Sequence, residues 1–230
     1  MTCLQRSAQK QLIQKMFKRR FHREAEEPSY LNLYGEELDL PFFFRYEYPL
    51  HFFKELPLDD AHKLPVPHFS EEKPRHEVRL GWSYDGIACR VFYPKKTFKP
   101  GVDGDAIELF FDTRDQQDAP YPTRFCHHFL LFPEPIQGIA GREVTRFRGD
   151  ETHPHADPNL FEVSTKSAFT GTYVDIFIPK DAFFGFDPNQ FNRIGFSYRI
   201  SQEGALPESL VSSKELASLP SLWSTLVLVK

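Results

Sequence analysis

The stretch GDAIELFFDTRD (104–115) sets two carboxylates, Glu108 and Asp112, into a run that is otherwise apolar. Alternation along a strand puts Ile107, Leu109 and Phe111 on one side and Glu108, Phe110 and Asp112 on the other. TYVDIFIP (172–179) has the same design, with Val174, Ile176 and Ile178 alternating with Tyr173, Asp175 and Phe177. Carboxylates accept hydrogen bonds from hydroxyl groups, and aromatic rings cover the apolar C–H faces of a pyranose. Arg124 and Arg199 add planar forks suited to a hydroxyl pair or an acidic sugar. Glu108, Asp112, Arg124, His128, Tyr173, Asp175 and Arg199 therefore form the candidate ligand-binding face. Tyr84, Phe177 and Trp223 are further ring candidates, while Trp82 shares the parity of Val78 and Leu80 and belongs to the core. The same pattern also describes the solvent side of any half-buried antiparallel sheet.

The acids also bear on catalysis. Glycoside hydrolysis needs two carboxyls about 5–5.5 Å apart for retention or about 6.5–9.5 Å for inversion. Glu108 and Asp112 are four residues apart on one strand, roughly 13 Å at about 3.3 Å per residue, which is too far. Glu108 with Asp175 fits if their strands are neighbours. No P-loop, HExxH or nucleophile motif occurs.

Metal ligation has several weak candidates. His127 and His128 are adjacent, so on a strand they point to opposite faces. Cys126 and His128 share a face but supply two of the four ligands of a structural zinc site. HPHAD (153–157) offers His153, His155 and Asp157 as a surface metal site in a loop. Asp103, Asp105 and Asp115 are turn acids with the oxygen chemistry for a structural calcium ion. A haem would need an axial His or Met in a pocket, and Met is nearly absent. No other cofactor is expected. Cys126, between Arg124 and His128 but among apolar neighbours, reads as an inert buried thiol.

The elements that must hold these groups are mostly strands. The chain has 230 residues with 24 Phe and 19 Pro, and both residue types work against long helices in favour of strands and turns. The net charge of −4 gives no electrostatic support for nucleic-acid binding. Three cysteines without regular spacing do not make a disulfide framework. No run reaches the roughly 20 apolar residues of a membrane helix, and no secretory h-region is seen. A cytoplasmic location is the expectation.

Residues 1–30 form a separate extension in which SAQKQLIQKMFKRRFHREAE (7–26) predicts a basic amphipathic helix. Such a helix can dock a protein partner or an anionic surface. Met16 is an alternative start. Residues 31–75 are a lead-in whose aromatic DLPFFFRYEYPLHFF is expected to lie on the main domain as extended segments, followed by a Pro-rich loop. Residues 76–230 alternate with period two through EVRLGWS, IACRVFYP, AIELFFD, RFCHHFLLF, NLFEVSTKS, TYVDIFIP, RIGFSYRIS and LWSTLVLVK. Eight to ten strands with turn signals between them predict an antiparallel β-sandwich.

The order GWSYDGI, GDAIELFFD, TYVDIFIP, IGFSYRI and LWSTLVL resembles the family 9 carbohydrate-binding modules and their DOMON-type relatives over residues 76–230. The resemblance implies a jelly-roll-like sandwich that binds a sugar, or another polyhydroxylated ligand, on one face without catalysis. The alternatives are a protein-interaction module that has lost the sugar site, and a glycoside-processing enzyme using Glu108 and Asp175.

Overall fold

The computed structural model describes residues 46–65, 74–101, 104–211 and 213–230. The expected basic helix at 7–26, with its proposed partner contacts, lies outside the described residues.

Among the described residues the chain forms eleven strands and a few single 3-10 turns. They are β1 (Glu47–His51), β2 (Glu77–Ser83), β3 (Gly86–Tyr93), β4 (Ala106–Asp112), β5 (Cys126–Ile136), β6 (Ile139–Glu143), β7 (Glu162–Ser167), β8 (Thr172–Pro179), β9 (Arg193–Ser201), β10 (Glu208–Ser209) and β11 (Ser224–Val229). The larger sheet runs β1-β11-β9-β4-β5-β6, with β10 also on β9, and the smaller runs β2-β3-β8-β7. The all-β sandwich is as the period-two pattern predicts. Its pairing is not purely antiparallel, because β1 lies parallel to β11 from Glu47↔Thr225 to His51↔Val229. The lead-in thus supplies an edge strand, and the sheet takes in residues well before 76.

Parity works as expected. Ile107, Leu109 and Phe111 of β4 face the core with Phe129, Leu131, Phe196 and Tyr198 from the same sheet. Val78, Leu80, Trp82, Val91, Val174, Ile176 and Ile178 meet them from the smaller sheet. Each such fully buried side chain contributes about 1.5–3 kcal/mol relative to exposure. Trp82 is buried, as its parity requires, and its indole N–H reaches the Val229 carbonyl at 3.1 Å.

Two turns decide register. Where β3 leaves its turn from β2, its first residue Gly86 adopts φ 153°, and a Cβ there would stand 2.2 Å from the Ile178 carbonyl oxygen. Only glycine lets β8 approach this closely. Between β5 and β6, Gln137 (φ 52°) and Gly138 (φ 83°) both have positive φ, closing a two-residue hairpin at Ile136↔Ile139. β6 had no alternating signature in the sequence, and it carries Glu143, considered below.

Candidate functional site

The larger sheet gathers three of the seven expected site residues on its outer face. Glu108 on β4 lies opposite Arg199 on β9, and Phe110, two residues along β4, lies opposite His128 on β5. His128 Nε2 is 2.8 Å from Glu108 Oε2, and Arg199 Nη1 donates to Glu108 Oε1 at 3.3 Å. The three side chains are 14–24 % exposed. Burial works to raise the Glu108 pKa, but the His128 hydrogen bond and the Arg199 charge outweigh it and hold it below its ordinary value. The carboxylate is therefore ionised and already oriented.

Aromatic rings form the floor of this cluster. The Phe110 ring lies 4.3 Å from the His128 ring and 5.7 Å from that of Trp223. Phe110 and Trp223 are both buried, packed with Cys126 and Leu216. The Trp223 indole N–H donates to the Leu216 carbonyl at 2.8 Å, which pins the segment before β11 across the sheet. Trp223 is thus a packing residue and not an open stacking platform. Cys126 lies beneath the same cover, and burial pushes its thiol up to about 12. That agrees with an inert thiol.

The other four expected residues go elsewhere. Asp112 points outward by parity, yet it is 2 % exposed and caps the turn that follows. Its oxygens accept from the Arg114 amide at 2.9 Å and the Gln116 amide at 2.6 Å. Burial raises its pKa, against the pull of those two amides. It is a turn cap, not a ligand-face acid. Arg124 is exposed in the turn before β5, its guanidinium 5.1 Å from the Phe125 ring centre. It is not on the strand with His128. Tyr173 and Asp175 lie on β8, on the outer face of the smaller sheet. There Arg90 Nε is 3.0 Å from Asp175 Oδ1, and the guanidinium stands 4.3 Å over the Tyr173 ring. Glu108 and Asp175 therefore face away from each other across the sandwich and cannot share a glycosidic bond. The glycoside-processing pair of the sequence reading is corrected on this ground.

The turn acids are engaged by donors. Asp105 is buried and accepts from Lys95 Nζ at 2.7 Å and from the Lys99 and Glu203 amides. Asp115 accepts from the Thr225 hydroxyl, Gln117 and Arg193. Asp103 lies outside the described residues.

HPHAD does not present a surface metal site. Asp157 caps the 3-10 turn Pro158–Leu160, His155 Nε2 is 3.0 Å from the Thr145 carbonyl, and His153 turns inward. His153 meets His127 from β5 at the carboxylate of Glu143 on β6. Burial works against the Glu143 charge, but hydrogen bonds from His127 and His153 keep it ionised well below the ordinary range. The sequence reading missed Glu143; the signal it lacked was the Gln137-Gly138 hairpin, which places β6 beside β5.

Two surface grooves lie apart from Glu108. One, of about 590 Å³, runs between residues 114–118 and 190–193. The other, of about 620 Å³, is lined by Phe52, Leu56, Tyr84, Asp85, Glu162 and Phe177 among others. Tyr84 is 40 % exposed there, and three carboxylates, Glu55, Asp85 and Glu162, line the same groove.

No protein-family model matches the chain, and no curated protein matches it. Solved structures do. A family 9 carbohydrate-binding module from Caldicellulosiruptor kristjanssonii, in complex with cellotriose, superposes with a TM-score of 0.58 at 12% identity, covering 80% of this chain and 93% of that one. A family 9 module from the same organism in complex with glucose gives a TM-score of 0.57 at 13% identity, over 80% and 96% of the two chains. With its two-sheet topology and these neighbours, the chain has the β-sandwich fold of the family 9 carbohydrate-binding modules.

Proposed function

We propose that this protein binds a carbohydrate, or another polyhydroxylated ligand, without catalysis, through Glu108, His128 and Arg199. The observation that carries the reading is the convergence of His128 and Arg199, from the strands on either side, on the ionised and largely buried carboxylate of Glu108. Support also comes from the fold, since its neighbours were solved with cellotriose and glucose. The chemistry is a hydroxyl grip. Glu108 accepts hydrogen bonds, Arg199 and His128 donate them, and Phe110 holds both flanking groups from below. Because the Phe110 and Trp223 rings are covered, the cluster takes hydroxyl edges and does not stack on a sugar face.

The groove at Tyr84 is the second location for the same ligand class. Its partly exposed ring, with Glu55, Asp85 and Glu162 lining the same groove, is what the Glu108 cluster lacks, though Lys230 Nζ lies 5.1 Å over that ring. The rival reading, a protein-interaction module using the aromatic 40–53 stretch, is weakened because Tyr48, Leu50 and Phe53 are buried in the fold.

A glycan-array screen of the full chain tests the proposal, run beside Glu108→Ala and Tyr84→Ala. Binding to a defined glycan that is lost in Glu108→Ala and kept in Tyr84→Ala is expected. The reverse pattern moves the site to the groove. Absence of binding by the folded wild-type chain overturns the carbohydrate reading.

A further inference from the structure

Beneath the larger sheet, on its core side, three ligand-type side chains converge. His127 Nδ1 is 3.0 Å from Glu143 Oε1, and His153 Nε2 is 2.9 Å from the same oxygen. The three ligand atoms lie within 4.8 Å of one another, and all three residues are buried. The imidazole rings are 4.4 Å apart. The Thr145 hydroxyl donates to that oxygen as well, at 2.6 Å. One carboxylate oxygen has two lone pairs, yet three donors crowd onto it.

We infer that His127, Glu143 and His153 form a buried binding site for a divalent transition-metal ion, zinc by the chemistry of its donors. Two imidazole nitrogens and one carboxylate oxygen are a zinc set. Around a tetrahedral zinc with arms of about 2.0–2.1 Å, neighbouring ligand atoms stand about 3.3 Å apart. The two N···O separations of 3.0 and 2.9 Å need a few tenths of an ångström of outward movement, and the two nitrogens, within 4.8 Å of each other, close by at most about 1.5 Å. The fourth position falls to the Thr145 hydroxyl oxygen or a water.

The surroundings suit both rings. His153 Nδ1 donates to the Arg124 carbonyl at 2.7 Å, which fixes the ring and turns Nε2 to the site. The Phe184 peptide offers His127 Nε2 both its N–H at 3.1 Å and its carbonyl oxygen at 3.4 Å. That nitrogen is therefore served in either tautomer. Both nitrogens of His153 face oxygen atoms, Nδ1 the Arg124 carbonyl and Nε2 Glu143. Binding the ion needs both imidazoles neutral, with the remaining N–H on Nδ1 of His153 and Nε2 of His127. Phe183 and Phe184 pack against the rings and close the site from solvent. The ion would be structural, tying β5 and β6 to the loop that carries His153.

The test uses the full chain, purified without chelator from zinc-supplemented cells. Elemental analysis is expected to find about one zinc per chain. Chelation should lower the melting temperature by several degrees, and added Zn²⁺ should restore it. Co²⁺ in place of Zn²⁺ should give the visible bands of tetrahedral coordination. His153→Gln should lose the metal, while His155→Gln, whose side chain goes to Thr145 O, should keep it. A folded wild-type chain that holds neither ion and melts unchanged with either would show a hydrogen-bonded network only, and the inference would fall. It would equally fall if His153→Gln retained the metal.

Discussion

The outer faces of the two sheets carry the same ingredients and use them differently. On the larger sheet Glu108 meets Arg199 and His128 above Phe110. On the smaller sheet Asp175 meets Arg90 beside Tyr173. Glu108 is the more buried of the two acids, with side-chain exposures of 15% against 28%. Yet Glu108 has its pKa lowered and Asp175 has its pKa raised. In both, burial pushes upward first. Glu108 overcomes it because two aligned donors reach its oxygens. Arg90 Nε is 3.0 Å from Asp175 Oδ1 without the alignment for a hydrogen bond, Nη2 donates to Oδ2 only at 3.4 Å, and the Arg90 charge only partly offsets the desolvation. The short second bond from His128, which Asp175 has no counterpart for, decides which acid is held ready to bind.

The largest expected break in this comparison is in packing. Phe110 is fully buried under Leu216 and Trp223, so Phe110→Ala should cost about 3–5 kcal/mol in urea unfolding. Tyr173 is only partly buried, and Tyr173→Ala should cost about 1 kcal/mol or less in the same assay. Equal losses would mean that the two faces are equally closed.

Next in size is the carboxylate itself. Glu108→Ala strands Arg199 and His128, both largely buried, and should cost about 2 kcal/mol. Asp175→Ala should cost about 0.5 kcal/mol or nothing. Both variants, alone or combined, should retain the native circular dichroism at 25 °C.

The pH dependence should separate the two acids by sign. The lowered folded pKa of Glu108 means its stabilisation is present above the ordinary value of 4.5 and is lost as pH falls through the folded value. The wild-type advantage over Glu108→Gln should therefore shrink below about pH 4.5. Asp175 runs the other way. Its raised folded pKa means the ionised form is disfavoured in the folded protein, so Asp175→Asn should be no less stable than wild type at pH 7. Any gain should vanish as pH falls toward 3.8. Parallel pH-stability curves for the two pairs would refute the contrast.

The smallest effect should come from Arg199→Lys. The charge stays and the planar fork goes, with an expected loss of about 0.5 kcal/mol in stability. Ligand affinity by calorimetry should fall more than stability does if the fork grips hydroxyls.

Much of the fold was legible because its strands alternate cleanly and end at turn residues. β2, β3, β4, β8, β9 and β11 fall within the period-two segments. β6 was not, since IAGRE is short and its turn is Gln-Gly, with Gln137 at an unfavoured positive φ. The site was half legible. Parity told that Glu108, His128 and Arg199 point outward, and that His127 points away from His128. It could not tell which sheet a strand joins, so Asp175 and Tyr173 were grouped with residues on the opposite side of the sandwich. Nor does parity see a side chain bending back. Asp112 faces outward but serves the amides of DTRDQ, a local turn that its own sequence could have announced.

The parallel pairing of β1 with β11 also sets a schedule for synthesis. On the ribosome β1 emerges among the first of the described strands and β11 last, so β1 must wait for nearly the whole described chain before its partner exists. The contacts that close the larger sheet are thus the most distant in sequence, and the hydrogen bond from Phe52 N–H to Val229 O locks them. Until then β1 and β9 keep open edges that a neighbouring nascent chain can occupy. Production of this protein should therefore depend more on what shelters the unfinished chain than on the stability of the finished one.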